Sequence, residues 1–245
     1  VQSVTVADIA GRIITRIDDN PAAPVSVVVG TGPTIGGVVV ADEVLGVINE
    51  GHQLAALLTL CLEKTVPYSL SAATVFYTPR STLTDFLVPL RITVAGVRLR
   101  PSRIDELDAW NPAWQATAGT AERYCTLGCN LLAVTPQQTA TAQITHAYSP
   151  AALAAAGTPV IPPSYHQALV EYGVYRCRLK EGAQQLARGL GSLNVFLDAM
   201  TELGDYVRAR SKAARYDVLP FELALYDRSG LIDKILKRQA ANLKA

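Results

Sequence analysis

The stretch "IPPSYHQALVEYGVYRCRLKEG", residues 161–182, sets the frame for the whole chain. Pro162 and Pro163 suit the opening of a helix, where a missing N–H costs nothing. Tyr165, Leu169, Tyr172, Arg176 and Leu179 then recur at spacings of four and three, the period of one helical face. Gly182 supplies the stop. Tyr165, His166 and Glu171 raise proton chemistry as one reading of this helix. Its basic end, with Arg176, Arg178 and Lys180, raises a packing helix that meets something acidic as the other. His166 and Glu171 stand five apart and so do not share a face. The rings of Tyr165, Tyr172 and Tyr175 are expected to join a core, with their hydroxyls at its edge.

Downstream, Leu186, Leu190, Leu193, Leu197 and Met200 carry the same spacing into a longer helix running to about Arg215. It should pack antiparallel on the first. Its end, "RARSKAAR", places Arg208, Arg210, Lys212 and Arg215 where cations oppose the negative helix terminus. With Arg176, Arg178 and Lys180 they also make a candidate surface for phosphate or for a neighbouring subunit. The chain restarts after Pro220. In "SGLIDKILKRQAANLKA", Ser229 or Asp227 is available as a cap, and Leu231, Ile232, Ile235, Leu236 and Leu243 lie on one side. Asp233 and Lys237 form a favourable i, i+4 pair. So short a helix is marginal alone in water, so its apolar stripe needs a groove to occupy.

Upstream, "TVADIAGRII" opens on a capping box, Thr5 to Asp8, ahead of Ile9, Ile13 and Ile17. Asp42 is the expected cap of a second helix that buries Val44, Ile48, Leu54, Leu58 and Cys61. From Val66 to about Leu99 the residues turn β-branched and aromatic, with prolines, and read as strands. "SRIDELDAW" is a short helix with a box from Ser102 to Asp105. "YCTLGCNLLAVTP" and "TATAQITHAYSP" read as two more strands, with Gly128 at a turn. The predicted fold is therefore α+β. A helical bundle core (1–65 and 162–215) carries an inserted antiparallel β-rich region (66–150), and a C-terminal extension (216–245) follows.

The remaining features narrow the function. The 245 residues are 49% hydrophobic, enough for a sizeable core. A net charge of +1 gives no global attraction to nucleic acid or membrane, so any basic site is local. Cys125 and Cys129 make a C-x3-C pair without a second pair to complete a zinc site. These two, with Cys61 and Cys177, are expected as reduced thiols. His52, His146 and His166 stand outside metal-ligand spacing, and no G-x-S-x-G elbow occurs. "VSVVVGTGPTIGG" opens like a dinucleotide fingerprint at Gly30 and Gly32 but has Ile35 at the third position and no helix after it. It reads instead as a hairpin or loop with glycines at its tip. No charged leader precedes an apolar run, and no apolar stretch reaches the ~18 residues of a membrane span. Neither a cofactor nor a catalytic activity is expected.

The order of pieces resembles a known family. "VADIAGRII" precedes a loop and "DEVLGVINEGHQLAALL", and strands follow. Then come "VRLRPSRIDELDAWNPAWQ", "LAVTPQQTATAQITHAYSP", the 161–182 helix and "AQQLARGLGSLNVFLDAM". Over about 1–200 this resembles the adaptor, or head–tail connector, proteins of tailed bacteriophages. The most specific pieces are Asp105 to Trp114 and Ile161 to Lys180, while the excursion at 25–40 is longer than that family leads one to expect. The resemblance implies a structural virion protein at the portal vertex, assembled in the host cytoplasm. It implies a ring, usually twelvefold, under the portal protein, which extends the DNA channel and gives a tail or nozzle protein its docking surface. Contact with the duplex would be sequence-blind, through Arg176, Arg178, Lys180, Arg208, Arg210 and Lys212. Leu231, Ile232, Ile235, Leu236 and Leu243 would dock on the portal or a neighbour. Two rival readings are a nucleotide-binding enzyme using the 25–40 loop and a tail-tube or minor capsid protein.

Overall fold

The computed structural model describes residues 4–17, 41–128, 130–179 and 183–220. The 25–40 excursion, Cys129, Lys180, Gly182 and the tail residues from Phe221 onward lie outside them. The fold is α+β and divides into two compact units. Among the described residues, the first takes 4–17, 41–59, 150–179, 183–207 and Pro220, and the second takes 60–128, 130–149 and 208–219.

The first unit is helical. Helix α1 (Val6–Ile17) begins with the expected box. Asp8 accepts from the Thr5 amide at 2.8 Å, and Thr5 Oγ1 accepts from the Asp8 amide at 3.2 Å. Two more of its orphan amides are met by the 150–161 strap: Val6 donates to Gly157 O and Ala7 to Ala155 O, both at 2.9 Å. Helix α2 (Ala41–Thr59) starts one residue before Asp42, and the Asp42 side chain lies outside the described residues. Its buried face runs through Val44, Ile48, His52, Ala55 and Ala56, whereas Leu54 and Leu58 are only half-buried. The small residues on that face let α2 approach its neighbours closely.

Helix α4 (His166–Arg178) follows a single 3₁₀ turn, Pro163–Tyr165, and α1 and α2 both pack on it. Almost every residue from His166 to Val174 is buried, so α4 is central rather than amphipathic. Gly173 is what lets α1 in, since a Cβ there would stand 2.2 Å from Ile13 Cδ1. Helix α5 (Ala183–Ala213) runs antiparallel to α4, with Gly189 beside Arg178 and the Phe196 ring centroid 5.0 Å from that of Tyr172. Its buried stripe is Leu193, Phe196, Met200, Leu203 and Val207, a three-four alternation. Leu197, expected in this stripe, is half-buried, because Phe196 beside it takes the deeper position. The Leu186 side chain lies outside the described residues.

The second unit holds eight described strands in two four-stranded sheets. Strands β1 (Glu63–Leu70), β8 (Ala140–Tyr148), β3 (Phe86–Val94) and β4 (Val97–Arg98) form the first, in that order. Strands β2 (Phe76–Tyr77), β7 (Leu131–Thr135), β6 (Arg123–Leu127) and β5 (Arg100–Pro101) form the second. All pairs are antiparallel except β5 with β6. The sheets meet at one strand. Leu99 donates to Ile92 O of β3 at 2.9 Å, and Arg100 donates the other way, to Glu122 O, at 2.7 Å. Ile92, Val94, Leu99, Tyr124, Leu132 and Ile144 pack together in the core this encloses. The turn at Gly128, φ +57°, divides "YCTLGCNLLAVTP" into β6 and β7.

Helix α3 (Ile104–Trp110) caps itself one residue later than its sequence implies. The Ser102 amide is taken by Tyr124 O at 2.8 Å, so the box shifts to Arg103, whose amide donates to Glu106 Oε2 at 3.1 Å. The indole of Trp114 donates to Asp108 at 2.8 Å, which ties α3 to the buried ring that follows it.

Candidate functional site

The polar residues of α4 serve packing. His166 Nε2 bonds Ile161 O at 3.0 Å, which fixes the turn that starts the helix. Glu171 is buried, takes an ion pair from Arg16 of α1 and accepts from Gln167 at 3.3 Å. Burial, and then the Glu50 carboxylate it donates to, push the Tyr172 hydroxyl far up. Tyr165 and Tyr175 are raised as well, each chiefly by burial. A phenol so held is a poor acid and a poor base at neutral pH.

His52 faces the same strap from α2. Its Nε2 accepts from the Val160 amide at 3.1 Å. Burial first, and then the neighbouring His166, lower its pKa to about 4. It is therefore a neutral acceptor that holds Val160 in place. Asn49 grips the strap twice more, donating to Leu153 O at 3.1 Å and accepting from Leu153 N at 2.7 Å.

In the second unit, Lys64 pairs with Asp85 at 2.6 Å, and His146 lies 4.0 Å from the other carboxylate oxygen. Burial, and then Lys64, lower His146. Among the described residues no three His, Cys, Asp or Glu side chains form a group that could hold a metal ion. Nor is any described helix long and apolar enough to cross a membrane.

Of the six candidate basic residues, five fall on described positions. Arg176 pairs with Glu50 at 3.1 Å, and Arg178 donates to Arg16 O, at the end of α1, at 3.2 Å. Both lie in the first unit. In the second, Arg210 pairs with Glu63 at 3.2 Å, Arg208 is half-buried and Lys212 is exposed. Lys180 and the apolar tail residues Leu231, Ile232, Ile235, Leu236 and Leu243 lie outside the described residues.

One cluster escaped the sequence. The Asp217 carboxylate is buried, pairs with Arg98 and accepts from the Tyr124 hydroxyl at 2.7 Å, while its amide donates to Leu90 O at 2.8 Å. Burial and this carboxylate together push Tyr124 far up. Its partners stand about a hundred residues earlier in the chain, and no local spacing announces them.

These features define the class: an α+β protein whose buried polar groups join helices and strands to one another. No curated protein matches the chain. The family model described as SU10 adaptor protein matches residues 4–218. That span is most of the 245 residues, and the chain belongs to the SU10 adaptor protein family, a family of structural phage adaptors.

Proposed function

We propose that the protein works as a ring beneath the portal of a tailed phage, extends the DNA channel and gives the tail its docking surface. The observation that carries this reading is the family match across 4–218, which spans residues of both compact units. The partners are the portal protein, a tail or nozzle protein and further copies of the chain, most simply twelve. The site of action is the virion neck, and the role is structural, without catalysis or cofactor. Residues 1–215 act as the adaptor domain, with 66–150 inserted in the helical core, and 216–245 as the extension.

Arg176, Arg178, Lys180, Arg208, Arg210 and Lys212 supply weak, sequence-blind contact with the duplex or with a neighbour. The pairing of Arg176 and Arg210 with carboxylates at 3.1 and 3.2 Å favours weak contact, because a phosphate must compete with Glu50 and Glu63. The stripe Leu231, Ile232, Ile235, Leu236 and Leu243 docks as a helix in a groove of the portal or of the next subunit.

Light scattering of the protein alone and with purified portal tests this. A defined ring on the portal supports it, and absence of any complex overturns it. A chain ending at Arg228 should keep its melting temperature and lose portal binding. A lower melting temperature with normal binding would remove the tail from the docking surface.

A further inference from the structure

Two grips of different chemistry hold the 150–161 strap within the helical unit. Near its start, the Asn49 side chain donates to Leu153 O at 3.1 Å and accepts from Leu153 N at 2.7 Å. A side-chain amide does not titrate, so this grip is indifferent to pH. Near its end, two histidines take consecutive residues. The Val160 amide donates to His52 Nε2 at 3.1 Å, and Ile161 O lies 3.0 Å from His166 Nε2. Between the grips, Ala155 O and Gly157 O accept from the Ala7 and Val6 amides and so satisfy the first turn of α1.

These bonds fix both tautomers. Nε2 of His52 accepts, so the neutral ring carries its hydrogen on Nδ1. A carbonyl oxygen only accepts, so Nε2 of His166 donates and its lone pair is on Nδ1. Both rings are buried, and among the described residues neither Nδ1 has a partner. The two rings therefore answer a proton differently. His166 can take one on Nδ1 with its bond to Ile161 intact. His52 can take one only on Nε2, where the new N–H would face the N–H of Val160. The strap itself carries no ionisable side chain. Charges on the packed helices are engaged elsewhere: Glu50 with Arg176, Glu171 with Arg16 and Asp8 with Thr5. Burial first, and then the charge of His166, lower His52 to about 4.

We propose that His52 and His166 form a two-proton latch on the far end of the strap. The first proton rides on His166 Nδ1 with the strap seated. The second, on His52 Nε2, sets two donors against each other and releases Val160. Release unseats residues 157–161 and takes the Gly157 acceptor from the first turn of α1, while Asn49 keeps Leu153 in place. Acid thus opens one end of the strap ahead of the helical core.

Nitrogen-15 NMR of the full chain at pH 7 tests the tautomers without any substitution. His52 should carry its hydrogen on Nδ1 and His166 on Nε2, and the opposite assignment at either ring overturns the proposal. Hydrogen exchange then follows the latch, each rate being referred to the intrinsic rate at its pH. Between pH 6.5 and pH 4, protection at Val160 and Val6 should fall about tenfold or more, while Leu153 keeps its protection. Loss at Val160 only in step with Leu169 and Val170 would be unfolding of the whole core and overturns the latch. In His52→Gln, which keeps an acceptor, Val160 protection should not change with pH. In His166→Gln, which keeps a donor for Ile161 O and removes the opposing charge, release should move to higher pH. Release at an unchanged pH in that variant overturns the two-proton order.

Discussion

The two units bring their backbones together by opposite means. In the helical unit, closeness depends on what is left out. A Cβ on Gly173 would stand 2.2 Å from Ile13, and one on Gly51 would stand 2.7 Å from Tyr172. In the β unit, a polar anchor and turn conformation set the geometry. Asp217 gathers Arg98, Tyr124 and Leu90, while Gly128 has open space around it but a φ of +57°. Side-chain volume sets the closest helix approaches in the first unit, and a buried ion pair and a left-handed turn set two backbone positions in the second. Substitutions that change only volume should therefore separate cleanly from those that change only charge.

The largest effect is expected at Phe196, fully buried against Tyr172. Phe196→Ala should cost ~3–5 kcal/mol by urea unfolding. A loss under 1 kcal/mol would mean the helical unit does not depend on this packing. In the β unit, Arg98→Met leaves the Asp217 carboxylate buried without its counter-charge, and should cost about 3 kcal/mol. Asp217→Asn should cost less, because the freed Arg98 side chain is 34% exposed and can reach water. The reverse order would show that the pair is not held by charge.

Acid should strike the helical unit through His52. Its folded pKa, about 4, lies below the ordinary histidine value of 6.5. Between those values the unfolded chain binds the extra proton, so stability is full above pH 6.5 and falls as the pH drops toward 4. His52 should contribute about 2–3 kcal/mol of that loss. His52→Gln keeps an acceptor for the Val160 amide and removes the titration. It should flatten the slope measured between pH 7 and pH 4.5, leaving the part due to His146, which is also lowered.

The two kinds of glycine give the next contrast. Gly173→Ala should cost ~1–3 kcal/mol through overpacking on Ile13. Gly128→Ala should cost ~1 kcal/mol through its left-handed backbone alone. Shortening Ile13 to Val or Ala should rescue the first by opening room near Gly173. No neighbour should rescue the second.

What the sequence made legible follows the same division. The Thr5–Asp8 box and the α4–α5 pair depend on local spacing, and spacing is visible in a single chain. The phase of the α5 stripe was readable only in part, since Phe196 and Leu197 are adjacent and both apolar. At α3 the sequence offered a box from Ser102 to Asp105, and the structure caps the helix at Arg103 instead. A sheet bond from the Ser102 amide to Tyr124, which no local spacing announces, makes the difference. Asp217 was invisible for the same reason, because its partners come from β4 and β6 by way of the fold. The candidate basic residues were legible as types. Their carboxylate partners Glu50 and Glu63 required three-dimensional placement.

The smallest stability effects should come from those exposed pairs. Arg210→Ala breaks a contact with Glu63 across 3.2 Å, and Arg176→Ala breaks one with Glu50 across 3.1 Å. Each should cost under about 1 kcal/mol, because exposed pairs are screened and lose side-chain entropy. Their effect should appear elsewhere if they face the duplex. Combining Arg208→Ala, Arg210→Ala and Lys212→Ala should reduce the salt dependence of binding to a short random-sequence duplex, with log K falling less steeply against log salt. The reduction should not depend on base sequence, since a channel must let any sequence pass. The matching pair Arg176→Ala and Arg178→Ala, in the helical unit, measures whether both units meet DNA. An unchanged salt slope in one set and a reduced slope in the other assigns the duplex to one unit. Unchanged slopes in both, with assembly and DNA retention intact, would reduce all five to charges that stabilise helix ends.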